Sequence, residues 1–230
     1  MWNSIRQQLP LLISSLILLA LTITIVGSYL LISDAYKEKM KESNSLMAAS
    51  VADNIEQTMQ NAYAAIEFTA EYPGIMALDA DSQQSLVRQV AGRFPAFQLV
   101  AINNLKGDQL ARSSGPLGNR AERFWFKKFM IEREPYISKT YYSLTTGNPI
   151  ITIVHGIYEN GQLVGIVEGD IAVKELQLLM EAFNTGAGSY TYLLGGEGEV
   201  IAHPEYHDGG DLYNYRTLKK RPCYTIKMGR

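Results

Sequence analysis

No charged side chain interrupts the chain between Arg6 and Asp34, and from Leu9 to Ile32 nearly every position is apolar. About 20 apolar residues at the helical rise cross a hydrocarbon core of about 30 Å. The pattern therefore predicts a transmembrane helix over residues 9–33, with residues 1–8 as a short cytoplasmic arm. The run exceeds the apolar core of about 7–15 residues in a cleaved signal peptide, and Tyr29-Leu30-Leu31-Ile32-Ser33-Asp34 offers no small-x-small cleavage site. An uncleaved signal-anchor follows. The flanking charges, Arg6 on one side and Lys37, Lys39 and Lys41 on the other, oppose an exterior domain. The short N-terminal arm favours the exterior orientation all the same.

Beyond the anchor the periodicity stays helical from Asp34 to about Ala70, with Val51, Ile55, Met59, Ala62 and Ile66 at steps of three and four, until Pro73-Gly74. A second helix is predicted over Asp81–Phe94, with Leu86, Val90 and Phe94 on one side. The texture then changes to alternation. Strands are predicted at Phe97–Asn103, Gln109–Ser113, Tyr136–Ser143, Ile150–Tyr158 and Gln162–Ile171, the last two joined by the hairpin signal Asn160-Gly161. Short helices are predicted over Arg120–Ile131 and Lys174–Phe183, and a last hairpin joins Ser189–Leu194 to Glu199–Ala202 across Gly195-Gly196-Glu197-Gly198. After Asp211 the sequence reads as polar loop.

The resulting fold class is α+β: a transmembrane helix, a long stalk helix, and a PAS-like antiparallel sheet with flanking helices, followed by an incomplete second module. The boundaries are residues 34–71 for the stalk, 72–185 for the sheet module, and 186–230 for the truncated second module and tail.

Composition narrows the function. The net charge of −2 leaves no basic footprint for nucleic acid. A single cysteine, Cys223, permits no intrachain disulfide. His203, Glu205, His207 and Asp208 surround Pro204 and read as a turn rather than a metal site, and Gly195–Gly198 is followed by no helix or Lys-Ser/Thr pair that would hold phosphate. No nucleophile elbow, Walker or metalloprotease motif is present. The expectation is a protein that is not an enzyme and carries neither cofactor nor metal.

Several segments carry a family resemblance: Asn119-Arg120-Ala121-Glu122-Arg123-Phe124-Trp125-Phe126, Tyr136-Ile137-Ser138-Lys139-Thr140-Tyr141-Tyr142-Ser143, Val164-Gly165-Ile166-Val167-Glu168-Gly169-Asp170-Ile171 and Val200-Ile201-Ala202-His203-Pro204. In order and spacing they resemble the double Cache sensor domains of bacterial methyl-accepting chemotaxis receptors and related transmembrane sensors. The resemblance extends from about Asp34 to Tyr215. It implies an extracytoplasmic ligand sensor in the bacterial plasma membrane, a homodimer through the stalk helix, and a small amino acid as ligand.

In the amino-acid-binding members an Arg-x-Trp-Tyr motif holds the ligand carboxylate and an Asp at the end of the later hairpin strand takes the ammonium. The matching positions are Arg123, Trp125, Phe126 and Asp170, with Tyr141 in the middle strand. Phe126 lacks the phenol hydroxyl, Ser143 stands where many members have a second Asp, and Gly118 where a Tyr is common. The ligand-binding set is thus Arg123, Trp125, Phe126, Tyr141, Ser143 and Asp170.

A guanidinium fork suits a carboxylate; a carboxylate suits an ammonium, or alternatively caps the helix that follows Asp170. A small carboxylate without an amine stays open as ligand. The input domain of a sensor histidine kinase or diguanylate cyclase, and more distantly a membrane-tethered enzyme, stay open as functions. Such receptors return through the membrane to an output region, so the sequence is expected to be a fragment.

Overall fold

The computed structural model describes residues 5–181, 191–194, 200–202 and 226–227. Two compact units divide at Met47. Helix α1 runs Ile5–Ala70. In the first unit it carries the apolar stretch, whose richest window has a mean hydropathy of 2.6 and no buried residue. The hydroxyls of Ser14, Thr22 and Thr24 donate to the carbonyls of Pro10, Leu18 and Ala20 four residues back, at 2.7–2.9 Å. Those polar groups are thereby satisfied inside the helix, as a hydrocarbon environment demands. This helix is long and apolar enough to cross a membrane.

The second unit begins with the amphipathic end of α1. Val51, Ile55, Met59, Ala62 and Ile66, the stripe expected from the period, are all buried. Helix α2 (Ala80–Arg93) is capped by Asp79, whose Oδ1 accepts from the Ser82 amide at 2.9 Å. It buries Gln83, Val87 and Val90, a face one step round from the expected one.

A six-stranded antiparallel sheet follows: β1 (Phe97–Asn104), β2 (Gln109–Arg112), β3 (Tyr136–Ile137), β4 (Tyr141–Tyr142), β5 (Pro149–Glu159) and β6 (Gln162–Ala172), in the order β2-β1-β6-β5-β3 with β4 also on β5. The β5–β6 hairpin turns at Asn160 and Gly161, both with positive φ (52° and 78°), as a two-residue turn of that sequence requires. One sheet face, with Val100, Ile102, Ile151, Ile153, Val167 and Ile171, packs on α1 and α2 in the main core. At Gly169 the approach of α1 is close enough that an added Cβ would lie 2.5 Å from Ile66 Cδ1.

Two expected elements differ. The strand expected over Tyr136–Ser143 is broken into β3 and β4, because the Ser138 Oγ accepts from the Thr152 amide at 2.8 Å in place of a regular backbone ladder. Helix α3 spans Phe124–Glu132 rather than starting at Arg120. The Asn119 side chain takes the Ala121 amide (2.8 Å) and Gly107 takes the Arg120 amide (2.6 Å), which holds residues 119–123 as turns.

Helix α4 (Val173–Glu181) follows β6. Beyond it β7 (Leu193–Leu194) pairs antiparallel with β8 (Val200–Ala202), as expected, and parallel with β9 (Ile226–Lys227). The polar-loop pattern after Asp211 predicts no strand at Ile226 and Lys227; parallel pairing joins stretches distant in sequence, which local pattern does not register.

Candidate functional site

Alternation along β6 sends Glu168 and Asp170 to the face away from α1. The register brings Thr152 opposite Asp170 on β5, and Leu99 opposite it on β1. Over this face lie α3, the turns before it and the loop after β4. Between them is a cleft enclosing about 290 Å³, open mouth included, lined at its charged and aromatic positions by Arg120, Arg123, Trp125, Tyr141, Glu168 and Asp170. Ser143 and Thr145 border it on the loop side.

The turn between β1 and β2 sets the cation side. Asn119 Nδ2 donates to Asp108 Oδ1 (2.7 Å) and to the Lys106 carbonyl (3.0 Å), which docks the segment leading into α3 on that turn. Arg123 is then the residue before the first turn of α3, extended at φ −71° and ψ 137°, and its side chain makes no capping bond. The guanidinium carbon stands 5.1 Å from the Tyr141 ring centroid. Phe124 meets the same ring edge-on at 4.9 Å. Trp125 is fully buried and lines the cleft.

On the acid side the Tyr141 hydroxyl lies 2.5 Å from Thr152 Oγ1, and Thr152 donates to Asp170 Oδ1 at 2.6 Å. Asp170 therefore sits inside β6, bonded across the sheet, and caps no helix. Glu168 Oε1 accepts from Gln109 Nε2 at 2.6 Å. Among the described residues neither carboxylate has an ion-pair partner within 4.0 Å.

Burial, and next the Asp170 charge, push the Glu168 carboxyl far above its ordinary 4.5. Burial likewise raises Asp170 above its ordinary 3.8, against the Thr152 bond and the pull of Arg112, Arg120 and Arg123. Tyr141 is raised too, by burial first and by Asp170 second.

The sign of the linkage follows. Raised carboxyls keep their protons in the fold at a pH where the unfolded chain has released them. The stabilisation is complete below the ordinary values of 3.8 and 4.5 and is lost as pH rises through the folded pair's titration toward and beyond neutrality. The ligand-free protein is expected to melt at progressively lower temperature over that range, and Glu168→Gln to flatten the decline. Melting temperatures of both proteins across pH check this, and parallel curves would refute it.

Five of the six residues expected at the site, Arg123, Trp125, Tyr141, Ser143 and Asp170, line one cleft. Phe126 instead packs with Trp125, Phe129, Val154 and Ile166 in a second apolar cluster and does not line it. The Ser143 Oγ accepts from the amides of Thr145 (3.3 Å) and Thr146 (3.4 Å), organising the loop beside the cleft. Glu168 and Arg120 were not expected. For Glu168 the signal lay in plain view, since residues two apart on a strand share a face. Gly195–Gly198, the His203–Asp208 group and Cys223 lie outside the described residues.

The family model described as a Cache domain (dCache_1) matches residues 29–226. The methyl-accepting chemotaxis protein McpG of Pseudomonas putida is 23% identical over 195 residues, which are 84% of this chain and 30% of that protein. Its counterpart PscA of Pseudomonas syringae is 20% identical over 81% of this chain and 31% of its own length. The chain thus spans under a third of the curated relatives it matches. Among solved structures, the ligand-binding domain of the Pseudomonas fluorescens chemoreceptor CtaA with L-serine superposes with a TM-score of 0.61 at 22% identity, covering 74% of each chain. That of the Pseudomonas aeruginosa amino acid chemoreceptor PctC with GABA reaches 0.60 at 19% identity, over 77% of this chain and 81% of its own. At these identities the likeness concerns the fold.

Proposed function

The chain belongs to the Cache domain family, and from that premise we propose that it is the extracytoplasmic ligand-sensing region of a transmembrane chemoreceptor, binding a small amino acid. One observation carries the reading. The half-buried Arg123 guanidinium and the buried, ion-pair-free Asp170 carboxylate line the same cleft, with Trp125 and Tyr141 as aromatic walls. That arrangement suits a zwitterion, carboxylate on Arg123 and ammonium on Asp170. Micromolar affinity needs about 8 kcal/mol, within reach of a few charge-assisted bonds in such a cleft.

In this reading α1 anchors the protein in the bacterial plasma membrane through residues 9–33, the chain works as a homodimer through its stalk, and it senses without catalysing a reaction. A plain carboxylate is the second reading. It is favoured by Arg120, which places a second guanidinium on the same cleft as Arg123.

A thermal-shift screen of the full chain in detergent, against the common amino acids and small organic acids, separates the two. An amino-acid shift that disappears in both Arg123→Ala and Asp170→Ala supports the zwitterion site. A shift with plain acids that needs only Arg123 moves the assignment to a carboxylate sensor. No shift from folded protein overturns both.

A further inference from the structure

Glu168 is 2% exposed, lines the cleft, and is bonded through Oε1 to Gln109, which leaves Oε2 without a partner among the described residues. Arg120 and then Arg112 pull on its charge, but among the described residues neither forms an ion pair with it. Arg112 donates to the Pro116 carbonyl (2.9 Å), Thr145 Oγ1 (3.2 Å) and Gln109 Oε1 (3.4 Å). Arg120, also on the cleft, makes one long bond, to the Asn119 carbonyl at 3.4 Å. In the empty cleft burial keeps this carboxyl protonated toward neutral pH, and a cationic group arriving beside it favours the ionised form. Two residues along a strand span about 6.6 Å, at about 3.3 Å per residue. The anionic side of the cleft therefore has two separate positions about as far apart as the two ammonium groups of a short diamine.

We propose that Glu168 is a specificity-determining residue whose carboxylate holds a second cationic group, on the ligand's side chain, so that the cleft selects dibasic amino acids over neutral ones of equal length. The proposal rests on the zwitterion reading, with the α-carboxylate on Arg123 and the α-ammonium on Asp170. Ser143 lends the site no charge, so the second acid comes from β6 rather than from the strand that carries Tyr141.

L-ornithine and L-norleucine test it, because they differ only by an ammonium in place of a terminal methyl. Titration calorimetry on the full chain in detergent is expected to give ornithine an advantage of about tenfold or more, the scale of one charge-assisted hydrogen bond. Glu168→Gln should remove that advantage while norleucine still binds, which also reports an intact fold. Equal binding of the two by the wild-type protein overturns the proposal, and that comparison does not depend on any variant folding. So does an ornithine preference that survives Glu168→Gln. If norleucine binding in either case still requires Arg123 and Asp170, the zwitterion site stands without the side-chain subsite. If neither amino acid binds the wild-type protein, the side-chain subsite falls, and the zwitterion reading falls with it only where the thermal-shift screen also finds no amino acid.

Discussion

Arg123→Ala is expected to weaken amino-acid binding by about a hundredfold or more, while the melting temperature of the ligand-free protein moves by only a few degrees. Removing one partner of a desolvated charge pair costs about 2–5 kcal/mol, most of it from the ligand carboxylate left unpaired in the cleft. The fold loses little. The side chain makes no capping bond and is only half-buried, and its contact with the Tyr141 ring at 5.1 Å is worth about 0.5–1 kcal/mol. Arg123→Lys should recover only part of the affinity, because an ammonium is a point donor where the guanidinium is a planar fork. Calorimetric titration with the amino acid giving the largest thermal shift, beside thermal melts of the three ligand-free proteins, measures both quantities. Unchanged affinity in Arg123→Ala would remove the carboxylate end of the site.

Gly107→Ala should damage stability and binding together, although residue 107 does not line the cleft. Gly107 has φ +83°, and a Cβ there would lie 2.8 Å from Ala121 Cα and still closer to the Ala121 amide nitrogen. A left-handed conformation costs an alanine about 1–2 kcal/mol. Overpacking adds about 1–3 kcal/mol, and here the obstacle is backbone, which cannot rotate aside. The segment forced to move carries Arg120 and Arg123, held on this turn by the Arg120 amide bond to the Gly107 carbonyl at 2.6 Å. The expected result is a loss of about 2–5 kcal/mol in stability with a parallel loss of ligand affinity. Gly161→Ala is the control: φ is +78° but nothing lies within 4 Å, so only the conformational cost applies and binding should survive. Denaturant melts and calorimetry on both variants decide it. Gly107→Ala protein that binds normally would show that the turn does not set the position of Arg123.

Local period was enough for much of this protein. The uncharged run before Asp34, the stripe from Val51 to Ile66, and the Asn160-Gly161 hairpin each announce their element, because backbone geometry repeats at fixed intervals and turn residues have few alternatives. The resemblance named Arg123, Trp125, Tyr141, Ser143 and Asp170, which the fold gathers from three separate elements and a loop onto one cleft.

Other features needed the fold. Whether residues 120–123 are helix or turn depends on Gly107 and Asn119, bonds a helical pattern does not foresee. Phe126 and Trp125 are neighbours, yet α3 turns one into an apolar cluster and the other also toward the cleft. Strand parity put Glu168 and Asp170 on one face, so their pairing was written in the sequence. That this face is roofed, and that Arg112 is committed elsewhere, came from long-range packing. Side-chain direction is a local property of the backbone; the company a buried charge keeps is set by the register of strands and by the loops that close over them.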